Sequence, residues 1–95
     1  MKVVVTGLGV LAPNGLSVPS YWDALCSGQS GIETITGFDI TDFPVTIAGE
    51  LKDFKPENYL DSREVRKLDR FSILGLAAAK EAIVNSGLNL ESAIL

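Results

Sequence analysis

Val3-Val4-Val5-Thr6-Gly7-Leu8-Gly9-Val10-Leu11 opens with three β-branched residues and shows no alternation of polar with apolar positions. That is the pattern of a strand buried on both faces, which needs sheet neighbours and a covering layer on each side. Pro13-Asn14-Gly15 ends the run as a turn. Ser17 then stands where an N-cap belongs, for a helix over Val18 to Ser27, and Gly28 follows as its C-terminal glycine. The residues from Ser30 to Pro44 are rich in Gly, Thr and Asp and read as loop. Val45 to Leu51 is a second, shorter strand candidate with Gly49 inside it, and Asp53 to Tyr59 reads as a polar linker containing Pro56.

The second half is helical. Asp61 and Glu64 have capping-box spacing at the start of one helix, and Asp69 separates it from a longer one running to about Ser86, closed by Gly87. The tail Leu88 to Leu95 offers no further strand. Within the long helix, Phe71 to Ala79 (FSILGLAAA) carries no charge and is apolar nearly all round, as in helices enclosed by other protein. One buried strand, one weak strand and such a helix cannot make their own layers. The chain therefore reads as an incomplete part of a layered α/β protein, or as one part of a complex.

Composition agrees. The 95 residues are 46% hydrophobic and 21% charged, an apolar balance for so short a chain. The net charge of −4 argues against a nucleic-acid partner, which requires a clustered cationic excess. Lys2 is the lone cation before Lys52, so any basic surface belongs to the second half. One Cys excludes an internal disulfide, and the absence of His leaves no plausible zinc or blue-copper cluster. No metal or cofactor is expected, and a reducing, cytoplasmic setting fits. Val3 to Ala12 is too short and too interrupted for a signal or a membrane span, so no membrane association is expected.

Three constellations invite chemistry. Gly7-x-Gly9-x-x-Ala12 matches the letters of a dinucleotide fingerprint, yet Pro13-Asn14-Gly15 occupies the place where a phosphate-binding helix would begin. Glycines that let a strand and a helix approach closely are the better reading. Cys26 falls in the last turn of a helix, with no His anywhere to act as its base, and reads as a small buried hydrophobe. Arg63, Arg66 and Lys67 are spaced i, i+3, i+4 on one helix face, with Arg70 at i+7 if the helix continues. Interleaved Asp61, Glu64 and Asp69 allow a solvated, self-neutralised face. The alternative is a docking surface for an acidic partner.

Taken together, Val3-Val4-Val5-Thr6-Gly7-Leu8-Gly9, Trp22-x-x-Leu25-x-x-Gly28-x-Ser30-Gly31-Ile32, Ile47-Ala48-Gly49 and Arg66-Lys67-x-Asp69-Arg70-Phe71 resemble the start of a β-ketoacyl-acyl carrier protein synthase. Phe38-Asp39 and Phe54-x-Pro56-Glu57 are more similar to the type II synthases than to type I; a polyketide ketosynthase or a non-catalytic chain-length-factor subunit is the competing pattern. The resemblance implies a thiolase-like layered α/β/α fold, of which residues 1–95 form the N-terminal segment of the N-terminal ketosynthase domain, stopping before the family's next core strand. It also implies a homodimer as the complete enzyme. The activity implied is fatty acid elongation by decarboxylative condensation of an enzyme-bound acyl group with malonyl-acyl carrier protein, through a downstream Cys, two His and a nearby Lys. Cys26 matches none of those positions, and no catalytic residue is expected in this chain. What carries over is the basic helix: Arg63, Arg66 and Lys67 match positions that present cations to the acidic helix of acyl carrier protein.

Overall fold

A computed structural model describes residues 1–89; the expected course of the tail beyond Asn89 lies outside the described residues. The elements run α1 (Val18–Ser27), β1 (Ile32–Thr34), β2 (Ile47–Gly49), a single 3-10 turn (Pro56–Asn58), α2 (Ser62–Lys67) and α3 (Arg70–Ser86). They fall into two compact units, one of Leu11–Phe54 and one formed by Met1–Val10 with the chain from Lys55 onward.

In the Leu11–Phe54 unit, α1 begins and ends where its local signals put it. Ser17 and Ser20 cap each other reciprocally, Ser20 N–H on Ser17 Oγ (3.3 Å) and Ser17 N–H on Ser20 Oγ (3.1 Å). Gly28 takes the left-handed conformation (φ 73°) that stops a helix. Ala12 and Gly15 exchange backbone hydrogen bonds around Pro13-Asn14, forming the expected turn. Ala24 is this unit's buried side chain.

The strand expected over Val45 to Leu51 is present only as Ile47–Gly49. Its partner, Ile32–Thr34, lies within a stretch expected to be loop. The two are antiparallel, with Ile32 opposite Gly49, Glu33 opposite Ala48 and Thr34 opposite Ile47. Lys52 reaches Glu33 at 2.7 Å, an exposed ion pair of little energetic weight. The connecting loop is gathered by Glu50, whose carboxylate accepts the N–H groups of Thr36 and Gly37, both at 2.8 Å, and the Thr36 hydroxyl at 3.3 Å.

The Thr36 N–H bond is the main cause of a Glu50 carboxyl held below the usual carboxylate range, opposed by desolvation and helped by Gly37, the Thr36 hydroxyl and Lys52. A lowered folded value means that the clasp contributes fully above the ordinary glutamate range and is lost as pH falls through the folded value. Amide exchange should therefore show Thr36 and Gly37 protected near neutral pH and through the ordinary glutamate range, losing that protection only as pH falls further, through the lowered value of Glu50. In Glu50→Gln the protection should be weaker and flat with pH. A wild-type profile equally flat would remove the clasp.

The second unit corrects the reading of the opening strand. Val3 to Leu11 joins no ladder, and Val3, Val4 and Val5 are 90%, 71% and 80% exposed rather than enclosed. A strand exists only by pairing, and the two short strands among the described residues pair with each other. The segment lies instead along α3. A Cβ on Gly7 would sit 2.1 Å from the Ala82 carbonyl oxygen, and one on Gly9 would sit 1.8 Å from that of Ala78. The glycines thus permit close packing on a helix, as their alternative reading had it. The side chains of Asn85 and Glu81 accept the N–H groups of Leu8 (3.1 Å) and Val10 (2.9 Å).

On α3, Ile73 and Ala77 are buried, as is Leu60 before α2, whereas Phe71 and Val84 are exposed. The enclosure expected for this apolar helix is therefore present on one side only. No helix of the described residues is long and apolar enough to cross a membrane.

Candidate functional site

The basic cluster sits on α2, six residues of sequence SREVRK. A helix this short needs its ends fixed, because nucleation costs more than its few hydrogen bonds return. Asp61 supplies the N-terminal fix: its Oδ1 accepts the N–H groups of Arg63 (3.0 Å) and Glu64 (2.9 Å). At the other end the Leu68 N–H bonds the Glu64 carbonyl, after which Leu68 turns extended (ψ 147°) and the helix stops. Asp69 then stands at the N-cap position of α3, although its side chain makes no capping bond.

Helical geometry spreads Arg63, Arg66 and Lys67 over about 100° of one face, with Val65 on the opposite side. Burial agrees: Val65 is half-buried while all three cations are exposed. Arg66 Nε donates to the Ser62 carbonyl at 3.2 Å, which lays the guanidinium along the same face. Arg70 does not extend the row. With Leu68 extended, it becomes the first residue of α3, and its direction is set by that helix.

The α2 platform rests on the 3-10 turn Pro56–Asn58, which α3 also contacts. Lys80 on α3 donates to the Tyr59 carbonyl at 2.6 Å, tying the long helix to the turn that leads into α2. Sequence reasoning gave Lys80 no part, since nothing local signals a bond to a carbonyl twenty-one residues away.

The other candidates change standing. Cys26 is exposed in the last turn of α1, not buried as expected, because Ala24 alone on that helix turns fully inward. Its position is as expected, and no His exists in the sequence to activate it. At the start of α1 Pro19 has no N–H and Ser17 Oγ takes that of Ser20, and Gly7 and Gly9 face the carbonyls of α3, so the fingerprint letters do not form a phosphate cradle. Among the described residues no group of three or more His, Cys, Asp or Glu could hold a metal ion.

The family description "Beta-ketoacyl synthase, N-terminal domain" matches residues 1–93, and the chain belongs to that family. Among curated proteins it is 44% identical over 89 residues to a 3-oxoacyl-[acyl-carrier-protein] synthase 2 of Coxiella burnetii and 46% identical over 89 residues to that of Vibrio harveyi. A Staphylococcus aureus synthase 2 is 39% identical over 90 residues. These matches take in 94 to 95% of this chain, which spans only 21 to 22% of the length of those relatives. A solved structure, the ishigamide ketosynthase/chain length factor, superposes on 93% of this chain with a TM-score of 0.84 and 33% identity, again over 22% of its own length. The fold is accordingly a partial α/β piece of the thiolase-like ketosynthase architecture.

Proposed function

We propose that residues 1–95 form the N-terminal segment of the ketosynthase domain of a cytoplasmic, homodimeric 3-oxoacyl-acyl carrier protein synthase. The complete enzyme would be an acyltransferase condensing an enzyme-bound acyl group with malonyl-acyl carrier protein in fatty acid elongation. In that enzyme this segment's part is recognition: Arg63, Arg66 and Lys67 dock the acidic carrier. The observation that carries the reading is the exposed, one-sided cationic face of α2 in a chain whose curated relatives are synthases named for a carrier-protein substrate.

The charge arrangement supports docking over self-neutralisation. Asp61 spends its carboxylate on the backbone of α2, and among the described residues no ion pair forms to Arg63, Arg66 or Lys67. Exposed cations of this kind act mainly through encounter rate and salt dependence. The solved neighbour is a ketosynthase/chain length factor, which keeps a non-catalytic ketosynthase-like subunit as the second reading; the curated synthases match at higher identity and favour the enzyme.

The test uses a Vibrio harveyi synthase carrying this chain in place of its own matching segment. Arg66→Glu with Lys67→Glu should raise KM for carrier-bound substrate about tenfold or more, since a reversed charge turns steering into repulsion. Reaction with small pantetheine thioesters should be unchanged. Equal loss with both substrates would make the face structural and place the carrier elsewhere.

A further inference from the structure

α2 is too short to orient itself. Its six residues span about 9 Å, and a tilt of about 15° at the base carries the far end through roughly 2 Å. A cation and a carboxylate pair at about 2.8 Å and part beyond about 4 Å, so that shift is enough to break a contact. The direction in which Arg63, Arg66 and Lys67 project is therefore set by what holds the base. α2 packs on the 3-10 turn Pro56–Asn58, and that turn packs on α3. The chain leaves the turn at Tyr59, buries Leu60, and starts α2 from Asp61, which caps it. The Tyr59 carbonyl thus lies two residues before the N-cap, and Lys80 Nζ donates to it at 2.6 Å.

α3 places Lys80 for this bond. Ile73, Ala77 and Lys80 follow one another at i, i+4 and i+7, so Lys80 prolongs the row that is buried at Ile73 and Ala77 and brings its ammonium out at the exposed end. A carbonyl at the end of a helical turn suits a lysine donor, because helical bonding gives out there. We infer that Lys80 is a positioning residue for carrier recognition: through the Tyr59 carbonyl it sets the direction in which α2 presents Arg63, Arg66 and Lys67. The inference rests on the docking reading above. It gives Lys80 no contact with the carrier. An α2 free to tilt keeps its three cations but no longer holds them in register with the carboxylates of an acidic partner.

The test uses the Vibrio harveyi synthase carrying this chain in place of its matching segment. Lys80→Met keeps the stem and deletes the donors. KM for carrier-bound substrate should rise about threefold or more, the scale of one exposed hydrogen bond to a charged group, with kcat unchanged. Reaction with small pantetheine thioesters should hold. Lys80→Arg, which still donates, should recover most of the loss. Hydrogen exchange over residues 63–68 should quicken about threefold in Lys80→Met and return in Lys80→Arg. The deciding background replaces Arg63, Arg66 and Lys67 with Ala: there Lys80→Met should add nothing to KM, because no face remains to be aimed. The same increment in both backgrounds shows that Lys80 meets the carrier directly and overturns the positioning role. So do an unchanged KM in Lys80→Met, unchanged exchange, and failure of Lys80→Arg to recover. Equal loss with both substrate classes overturns it too, making Lys80 a prop of the whole fold. If Arg66→Glu with Lys67→Glu raises KM and Lys80→Met does not, this inference alone fails; no rise on reversing those two charges condemns the docking reading itself.

Discussion

Gly9→Ala should release the first ten residues from α3, and Gly75→Ala in the same unit should tighten it. The added methyl at position 9 would lie 1.8 Å from the Ala78 carbonyl oxygen and 2.9 Å from the Ala82 nitrogen, both main-chain atoms inside a helix. Neither can swing aside as a side-chain tip could. Overpacking ordinarily costs about 1–3 kcal/mol, and a rigid backbone on the far side puts this case at the upper end. About 3 kcal/mol corresponds to somewhat more than a hundredfold change in an opening equilibrium. The Leu8 and Val10 amides, held by Asn85 and Glu81, report it directly: their hydrogen exchange should accelerate by about two orders of magnitude. At Gly75, by contrast, an added Cβ meets nothing within 4 Å, and alanine inside a helix is favoured over glycine by about 1 kcal/mol. Exchange along α3 should slow. Unchanged Leu8 and Val10 rates in Gly9→Ala would mean that the segment does not lie on α3 as described.

The 95-residue chain alone should catalyse no condensation at all. Acyl transfer needs a nucleophile with a base or a pre-aimed set of N–H donors beside it. Cys26, the chain's one thiol, stands at the carbonyl end of α1, and the sequence contains no His. Nor does the start of α1 present a pair of N–H donors to a reacting oxygen, since Pro19 has none and Ser17 takes that of Ser20. Incubation with an acyl-pantetheine thioester should leave the protein's intact mass unchanged, and malonyl-carrier decarboxylation should stay at the buffer rate. Acylation of Cys26 at catalytic rates would show chemistry in a place where this geometry gives it no support.

What could be read from the sequence followed the range of the forces involved. The bounds of α1, Val18 to Ser27, are fixed by Ser17 and Gly28, which are covalent neighbours of the helix they delimit. The same is true of Asp61 before α2 and Gly87 after α3, whereas Asp69 marks the start of α3 by position alone, without a capping bond. β1 was not legible because Ile32-Glu33-Thr34, though two of its residues are β-branched, is only three residues long inside a Gly-, Thr- and Asp-rich stretch, and pairs because Ile47–Gly49 returns alongside it. Val3 to Leu11 errs the other way, with strong strand character and no strand partner among the described residues. The basic face was legible as i, i+3, i+4 spacing. Its limit at Lys67 was not, since Leu68 is a good helix former whose extended backbone is imposed by its surroundings and not by its type.

Pro13 places a hidden constraint on the evolution of the Leu11–Phe54 unit. Its ring occupies the space that side chains at two distant glycines would need: a Cβ at Gly49 would come within 2.9 Å of Pro13 Cγ, and one at Gly31 within 2.5 Å of Pro13 Cβ. The two positions are nonetheless bound to it differently. At Gly49 the obstruction is chiefly the tip of the ring, so alanine at position 13 opens room there, and the two sites can drift as a pair in that order. At Gly31 the Asn14 nitrogen and the Pro13 carbonyl carbon stand at 2.7 Å as well, and no exchange of the ring removes them. One substitution thus unlocks the first site and leaves the second closed, although the same proline stands against both.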